Sequence, residues 1–296
     1  MARTRPAGAR FAFQLQCPIV MNMRLAFFGD VVGKPGRKAV LDHLAALRAR
    51  LALDFVVVNA ENAAGGFGLT EAIAEDFFTA GADCLTLGDH AWDQREMLIH
   101  IDRDPRILRP RNYPARASAP GHGAHLFELA DGRRVGVVQV QGNVFMRDNL
   151  ECPFAHAEAA LEEFPLRRVS DAVIVDVHCE ATSEKMAMGH FCDGRASLVV
   201  GSHTHVPTAD TMILENGTAY QSDAGMCGDY DSVIGMRKEN SIYRFETQLP
   251  GQRYEPALGE GTLAGVFVET DDATGLARRV EPIRIGGRLS PAEPAV

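Results

Sequence analysis

Residues 199–210 read VVGSHTHVPTAD: an apolar run that stops at Gly201-Ser202-His203-Thr204-His205. Consecutive apolar residues without polar alternation suit a strand covered on both faces of a sheet. The glycine that closes the run starts a turn in which two imidazoles, one residue apart, can face a common ion. The same grammar recurs upstream. The run at residues 25–28 ends in Gly29-Asp30, that at 55–58 in Asn59-Ala60-Glu61-Asn62, that at 84–87 in Gly88-Asp89-His90, and that at 172–177 in His178. A further apolar run covers residues 135–140.

Helical patterns separate several of these runs. Val40, Leu44, Leu47 and Leu51 fall on one helical face after Pro35 and Gly36, a suitable helix start. Thr70 is placed to cap a second helix with Ile73 and Phe77 turned inward. Alternating strands and helices predict an α/β fold with a substantially parallel sheet. Asp131-Gly132 and Asn216-Gly217 mark hairpins, so the sheets are expected to be mixed. Residues 233–256 break the rhythm with Arg237, Lys238, Arg244 and Arg253 among Tyr243, Phe245 and Tyr254. The plain reading is a surface excursion; the sharper one is a small cap that brings cationic and aromatic groups toward the site.

Ligand sites in open α/β sheets collect at the carboxyl ends of strands, where the departing loops converge on a crevice. A single carboxylate there is ordinarily a turn or helix cap, and a single histidine ordinarily a core or rim residue. Five oxygen- and nitrogen-bearing clusters at matching strand ends are more than capping requires, and they point to metal ligation.

Competing motifs fail. Gly29 to Lys34 mimics a phosphate-binding loop, but its spacing is one residue short and Pro35 replaces the hydroxyl ligand. Neither a G-x-S-x-G elbow nor an H-E-x-x-H helix is present. Cys179 beside His178 reads as a small residue at a strand exit rather than a thiol nucleophile.

The chain has 296 residues, with 30 Lys and Arg against 39 Asp and Glu, a formal charge of −9. That balance argues against stable binding to nucleic-acid phosphates or to an anionic membrane surface. It does not exclude a small phosphorylated substrate, since bound metal ions supply positive charge that the count omits. No apolar stretch approaches the ~18 residues of a membrane span. Six cysteines without a C-x-x-C pair read as reduced thiols, hence a cytoplasmic protein. Residues 1–22, with Arg3, Arg5 and Arg10 and no acid, are expected to be an unstructured extension or to follow a start set too early; 23–286 form one domain and 287–296 a tail. A homo-oligomer is compatible with the sequence, and no patch marks one.

The order Asp30, Glu61-Asn62, Gly88-Asp89-His90, His178, Gly201-x-His203-x-His205 resembles the calcineurin-like metallophosphoesterase superfamily. The blocks GDVVGKPGR (29–37), VVNAENAAGG (57–66), EATSEKMA (180–187), VVGSHTHVPTAD (199–210) and YDSVIGMRKE (230–239) are similar to its YmdB-like branch. The likeness runs from residue 23 to about residue 285. It implies a four-layer α/β/β/α sandwich, a binuclear metal centre, and phosphodiesterase activity that opens the 2′ ester of 2′,3′-cyclic nucleotides to give the 3′-nucleotide. Carried across residue by residue, one metal is held by Asp30, Glu61, Asn62 and His205, the other by Glu61, Asp89, His178 and His203, with Glu61 shared. His90 matches the proton donor to the departing 2′ oxygen, and Asp93 is near enough to orient its ring. The resemblance implies iron; the ligand types alone suit manganese, cobalt or zinc equally.

There is one departure. The branch has Gly-Asn-His where this chain has Gly88-Asp89-His90, which makes the ligand set one charge more negative. Asp89 is the one feature favouring a rival reading, a low-turnover nucleotide-binding regulator. A second rival is a metallophosphoesterase for other diesters or monoesters.

Overall fold

The computed structural model describes residues 22–295. The extension expected over residues 1–22 lies, apart from Asn22, outside the described residues. Two sheets carry the architecture. In the first, the order is β2 (Asp30–Val31), β12 (Met226–Asp229), β13 (Gly261–Thr270), β1 (Arg24–Phe28), β3 (Phe55–Asn59), β4 (Cys84–Thr86) and β5 (Ile107–Leu108), with β14 (Ala277–Ile285) also paired to β13. In the second, it is β10 (Met212–Ile213), β11 (Ala219–Gln221), β9 (Leu198–Ser202), β8 (Ala172–His178), β7 (Arg134–Gln141) and β6 (Ala124–Glu128). Both are mixed. The strands β1, β3, β4 and β5 run parallel, as do β7, β8, β9 and β11, while β13 and β14 form an antiparallel hairpin. The turns at Asp131-Gly132 and Asn216-Gly217 join the antiparallel pairs β6–β7 and β10–β11, as expected.

Side-chain alternation along the strands explains the layers. Leu25 and Phe27 of β1, with Phe55 and Val57 of β3, pack between the sheets against Val135, Val137, Ile174, Leu198 and Val200. Ala26, Phe28, Val56 and Val58 face the other way, onto α1 (Gly33–Leu51) and α2 (Glu71–Ala80). Val138, Val140, Val173, Val175 and Val199 face α4 (Pro153–Glu163) and α5 (Thr182–Cys192). Each central strand is therefore covered on both faces, which is why its sequence reads as a continuous apolar run. The result is the α/β/β/α sandwich.

The helices form for the reasons the sequence suggests. Val40, Leu44, Leu47 and Leu51 are all buried in α1. The Thr70 hydroxyl accepts the Ile73 N–H at 3.3 Å, a cap whose loss costs about 1 kcal/mol. A short helix, α3 (Met97–His100), follows β4. Residues 233–256 hold α6 (Lys238–Thr247), which the sequence pattern did not reveal because Ser241 is its one buried residue. Without an apolar stripe there is no helical period to see. Among the described residues no helix is long and apolar enough to cross a membrane.

Candidate metal centre

The parallel strands of both sheets deliver their carboxyl ends to one place. In register, Val58 of β3 lies beside Phe28 of β1, and Ser202 of β9 beside His178 of β8, so the loops that follow share one rim. There the structure brings together all seven ligand candidates named from sequence. Glu61, Asp89, His178 and His203 offer ligand atoms that all lie within 4.8 Å of one another. His178 Nε2 is 3.0 Å from Asp89 Oδ1, 3.2 Å from Glu61 Oε1 and 3.1 Å from His203 Nδ1. Beside them, His205 Nε2 is 3.3 Å from Asn62 Nδ2 and 3.8 Å from Asp30 Oδ1, and Asn62 Nδ2 is 3.1 Å from Glu61 Oε1. Glu61 thus touches both groups.

Close approach sets the residue types around these donors. A Cβ on Gly88 would lie 2.2 Å from Glu61 Oε2 and 2.4 Å from His178 Nε2, so only glycine leaves that space open. A Cβ on Gly201 would meet the Ser222 carbonyl oxygen at 1.8 Å. His203 and His205 both adopt left-handed backbone, φ 90° and 66°, which costs of order 1–3 kcal/mol each and needs external support. Asp30 accepts the His203 N–H at 3.1 Å. Asp223 accepts the Thr204 N–H at 3.1 Å and its hydroxyl at 2.6 Å, and is itself paired with the buried Lys185 ammonium at 2.7 Å.

The imidazoles are oriented from behind. His205 Nδ1 donates to the Ile234 carbonyl at 2.8 Å, which turns Nε2 toward Asp30 and Asn62. His178 Nδ1 meets Ser202 Oγ at 2.9 Å, and that hydroxyl donates to Asp176 Oδ1 at 2.6 Å. With its hydrogen committed to Asp176, Ser202 accepts from His178 Nδ1–H, so Nε2 is the nitrogen His178 offers to a metal once its proton is displaced. Burial pushes the Asp176 carboxyl up to about 6. Burial pushes Asp30 up as well, with His205 and His178 opposing. At Asp89 burial acts upward too, but hydrogen bonds and charge from His178 and His203 outweigh it and hold the carboxyl well below the usual range. His178 responds reciprocally: burial opposes its charged form, yet Glu61 and Asp89 raise its pKa far above the ordinary histidine value. A proton and a metal ion compete for the same Nε2.

His90 sits at the edge of this cluster. Its backbone N–H donates to Glu61 Oε2 at 3.1 Å, its Nδ1 pairs with Asp93 Oδ2 at 2.8 Å, and Phe67 packs edge-on at 5.2 Å between centroids. Burial lowers its pKa, but Glu61, Asp89 and Asp93 together raise it, favouring the imidazolium. Cys179 is buried, and burial pushes its thiol far above neutrality, so it offers no thiolate.

A cavity of ≈ 370 Å³ opens above these groups. Its floor is Glu61, Asn62, His90, His203 and His205; its walls include Phe67, Ile234, Met236, Phe245 and Tyr254. Neither Lys nor Arg is among the described residues that line it. The excursion at 233–256 therefore delivers aromatic groups to the site, but its cations turn elsewhere. Arg237 faces Glu255 at 3.6 Å, Lys238 pairs with Asp231 at 2.8 Å, and the Arg244 guanidinium lies 4.1 Å from the Tyr254 ring centroid. Sequence reading placed Asp176 at the strand end that carries His178 without a role of its own, and missed Asp223, Lys185 and Glu180, whose carboxylate is 3.4 Å from His203 Nε2. Lys185 and Glu180 lie in the block at 180–187, which was a visible marker; Asp223 had none.

The profile of the family described as YmdB-like protein matches residues 26–283. The chain belongs to that family. It is 44% identical over 263 residues to the 2′,3′-cyclic-nucleotide 2′-phosphodiesterase of Bacillus subtilis (strain 168), covering 89% of this chain and 97% of that one. Among solved structures, a hypothetical protein from Thermus thermophilus superposes with a TM-score of 0.82 at 40% identity, over 90% of this chain and 100% of the other. A structure described as a novel phosphatase from Mycoplasma pneumoniae superposes with a TM-score of 0.83 at 34% identity, over 90% and 95% of the two chains. These likenesses span nearly the whole described chain, and the family profile takes in residues 233–256.

Proposed function

We propose that this protein is a metal-dependent phosphodiesterase that opens the 2′ ester of 2′,3′-cyclic nucleotides and leaves the 3′-nucleotide. One observation carries the reading: a cavity of small-ligand size has carboxylates and imidazole nitrogens converging on its floor, and neither Lys nor Arg is among the described residues of its lining. An anionic phosphodiester is repelled by such a floor unless cations are bound there. The residues fit that role. They are mixed oxygen and nitrogen donors within a few ångströms, two of the imidazoles are held in the ligating tautomer, and Gly88 keeps the space between Glu61 and His178 clear. The 44% identical Bacillus subtilis relative supports the substrate class.

Asp30, Glu61, Asn62 and His205 would hold one ion, and Glu61, Asp89, His178 and His203 a second. Asn62 would offer its amide oxygen with the amide turned from its present orientation, in which Nδ2 faces Glu61 and His205. Bound there, the ions supply Lewis acidity toward the phosphoryl oxygens and lower the pKa of water. Iron is the metal we assign, on the family likeness; the same donors take manganese, cobalt or zinc. His90 carries out the proton transfer. Asp93 fixes Nδ1, so Nε2–H is the proton available to the departing 2′ oxygen, and the surrounding acids keep it in place. The free buried thiols, with no disulfide among the described cysteines, support a cytoplasmic site of action.

The test is elemental analysis of the purified protein beside turnover of 2′,3′-cyclic, 3′,5′-cyclic and model diester substrates, with product identification. The expected result is bound metal and 3′-nucleotide from the 2′,3′-cyclic substrates. A metal-loaded protein that releases the 2′-nucleotide, or prefers 3′,5′-cyclic or simple diesters, overturns the assignment.

A further inference from the structure

The floor of the cavity accounts for the phosphate, not for the rest of a nucleotide. The remaining wall is aromatic, and its rings are presented in a particular way. Phe245 is 72% exposed at the cavity mouth, an aromatic ring with little of this chain packed upon it. Tyr254 has one side held by the Arg244 guanidinium, which is anchored in turn to the Gln252 carbonyl at 2.7 Å. Phe67 is fixed against His90, the group assigned to the leaving oxygen. Beyond the ligand set and His90, the polar groups among the described lining residues are Glu180, Thr204, Ser241 and the Tyr254 hydroxyl. Apart from Asn62, no Asn, Gln, Arg or Lys, the side chains that bind a base edge bidentately, is among the described lining residues.

We propose that Phe245 and Tyr254 of the cap, with Phe67, form a stacking site for the nucleobase. The proposal rests on the phosphodiesterase reading above and names the part of the substrate which that reading leaves unbound. Every base has a π face, so a stacking wall without edge recognition accepts purines and pyrimidines while rejecting cyclic phosphates that lack a base. Because Phe67 also touches His90, a stacked base is held in fixed relation to the proton donor.

The experiment uses Phe245→Ala and Phe245→Trp. The side chain is largely exposed, so the fold should tolerate both, and melting temperature checks this. Metal-loaded wild type and variants are assayed with adenosine and uridine 2′,3′-cyclic phosphates and with a base-free methyl riboside 2,3-cyclic phosphate. In parallel, affinity for adenosine 3′-phosphate is measured by calorimetry. Phe245→Ala should raise KM for both nucleotides by about 5- to 150-fold, the range that base stacking spans, with kcat unchanged. The base-free ester should be indifferent to the change, and Phe245→Trp should restore the nucleotides. A wild type that handles the base-free ester as well as the nucleotides overturns the stacking site while leaving the phosphodiesterase reading intact. If wild type turns over no 2′,3′-cyclic nucleotide, that reading fails separately, and the calorimetry still decides. Weaker adenosine 3′-phosphate binding in Phe245→Ala, regained in Phe245→Trp, upholds the site; equal binding in all three removes it.

Discussion

Replacing Lys185 by Met tests how the His203-Thr204-His205 turn is held. Lys185 and Asp223 side chains are each 1% exposed, with Nζ 2.7 Å from Oδ2. Methionine keeps most of the apolar stem and deletes the ammonium. The Asp223 carboxylate then stays buried with the Thr204 N–H at 3.1 Å, the Thr204 hydroxyl at 2.6 Å and the Gly225 N–H at 2.8 Å as its remaining partners. Removing one member of a buried ion pair costs about 3–5 kcal/mol, and these surviving donors place the cost at ~3 kcal/mol. A chain of this size loses about 2–4 °C per kcal/mol, so the melting temperature should fall by about 6–12 °C. Calorimetry in chelator keeps metal binding out of the comparison. Lys185→Met with Asp223→Asn should recover part of the loss, because a buried amide without a counter-ion costs less than a carboxylate. A Lys185→Met protein that melts with wild type, or a double variant that loses the sum of the single losses, would refute the account of this pair.

Four further outcomes follow from the same geometry. Gly88→Ala puts a methyl group 2.2 Å from Glu61 Oε2 and should abolish metal retention through dialysis while leaving a folded protein; metal content equal to wild type contradicts this. Ser202→Ala breaks the link from His178 to Asp176 and should weaken metal binding about 10- to 100-fold in a competition titration, where an unchanged constant would show the relay to be idle. His90→Ala should keep its metal and lose about 10²- to 10⁴-fold in turnover; wild-type turnover removes His90 from the reaction. Asp89→Asn makes the ligand set one charge less negative and should alter metal content, oxidation state or turnover, measured by elemental analysis and assay; no change in any of them makes the carboxylate incidental.

Much of the fold is legible in the sequence because it rests on local pattern. Continuous apolar runs mark β1, β3, β8 and β9, and the spacing of Val40, Leu44, Leu47 and Leu51 marks α1, because covering both faces of a strand or one face of a helix leaves a short-range period. The hairpin of β13 and β14 escaped the same reading. Glycines at Gly261 and Gly265 interrupt one strand, and the other is half-buried residues with Pro282 in its middle. Helix α6 escaped because it packs almost nothing.

The sequence by itself determined which residue types stand at the strand ends, since strand, turn and ligand are neighbours in the chain. Tertiary structure alone decided which of them meet. The Asp30 carboxylate reaches His203 across 173 positions, Ser202 stands between His178 and an Asp176 that reads as mid-strand, and Asp223 supports a turn 19 residues away. That Phe245 and Tyr254 of the segment at 233–256 line the cavity, while Arg237, Lys238, Arg244 and Arg253 do not, likewise depends on packing. Contacts of that kind are set by how two sheets and their loops close on one another, and such closure leaves no period in the chain.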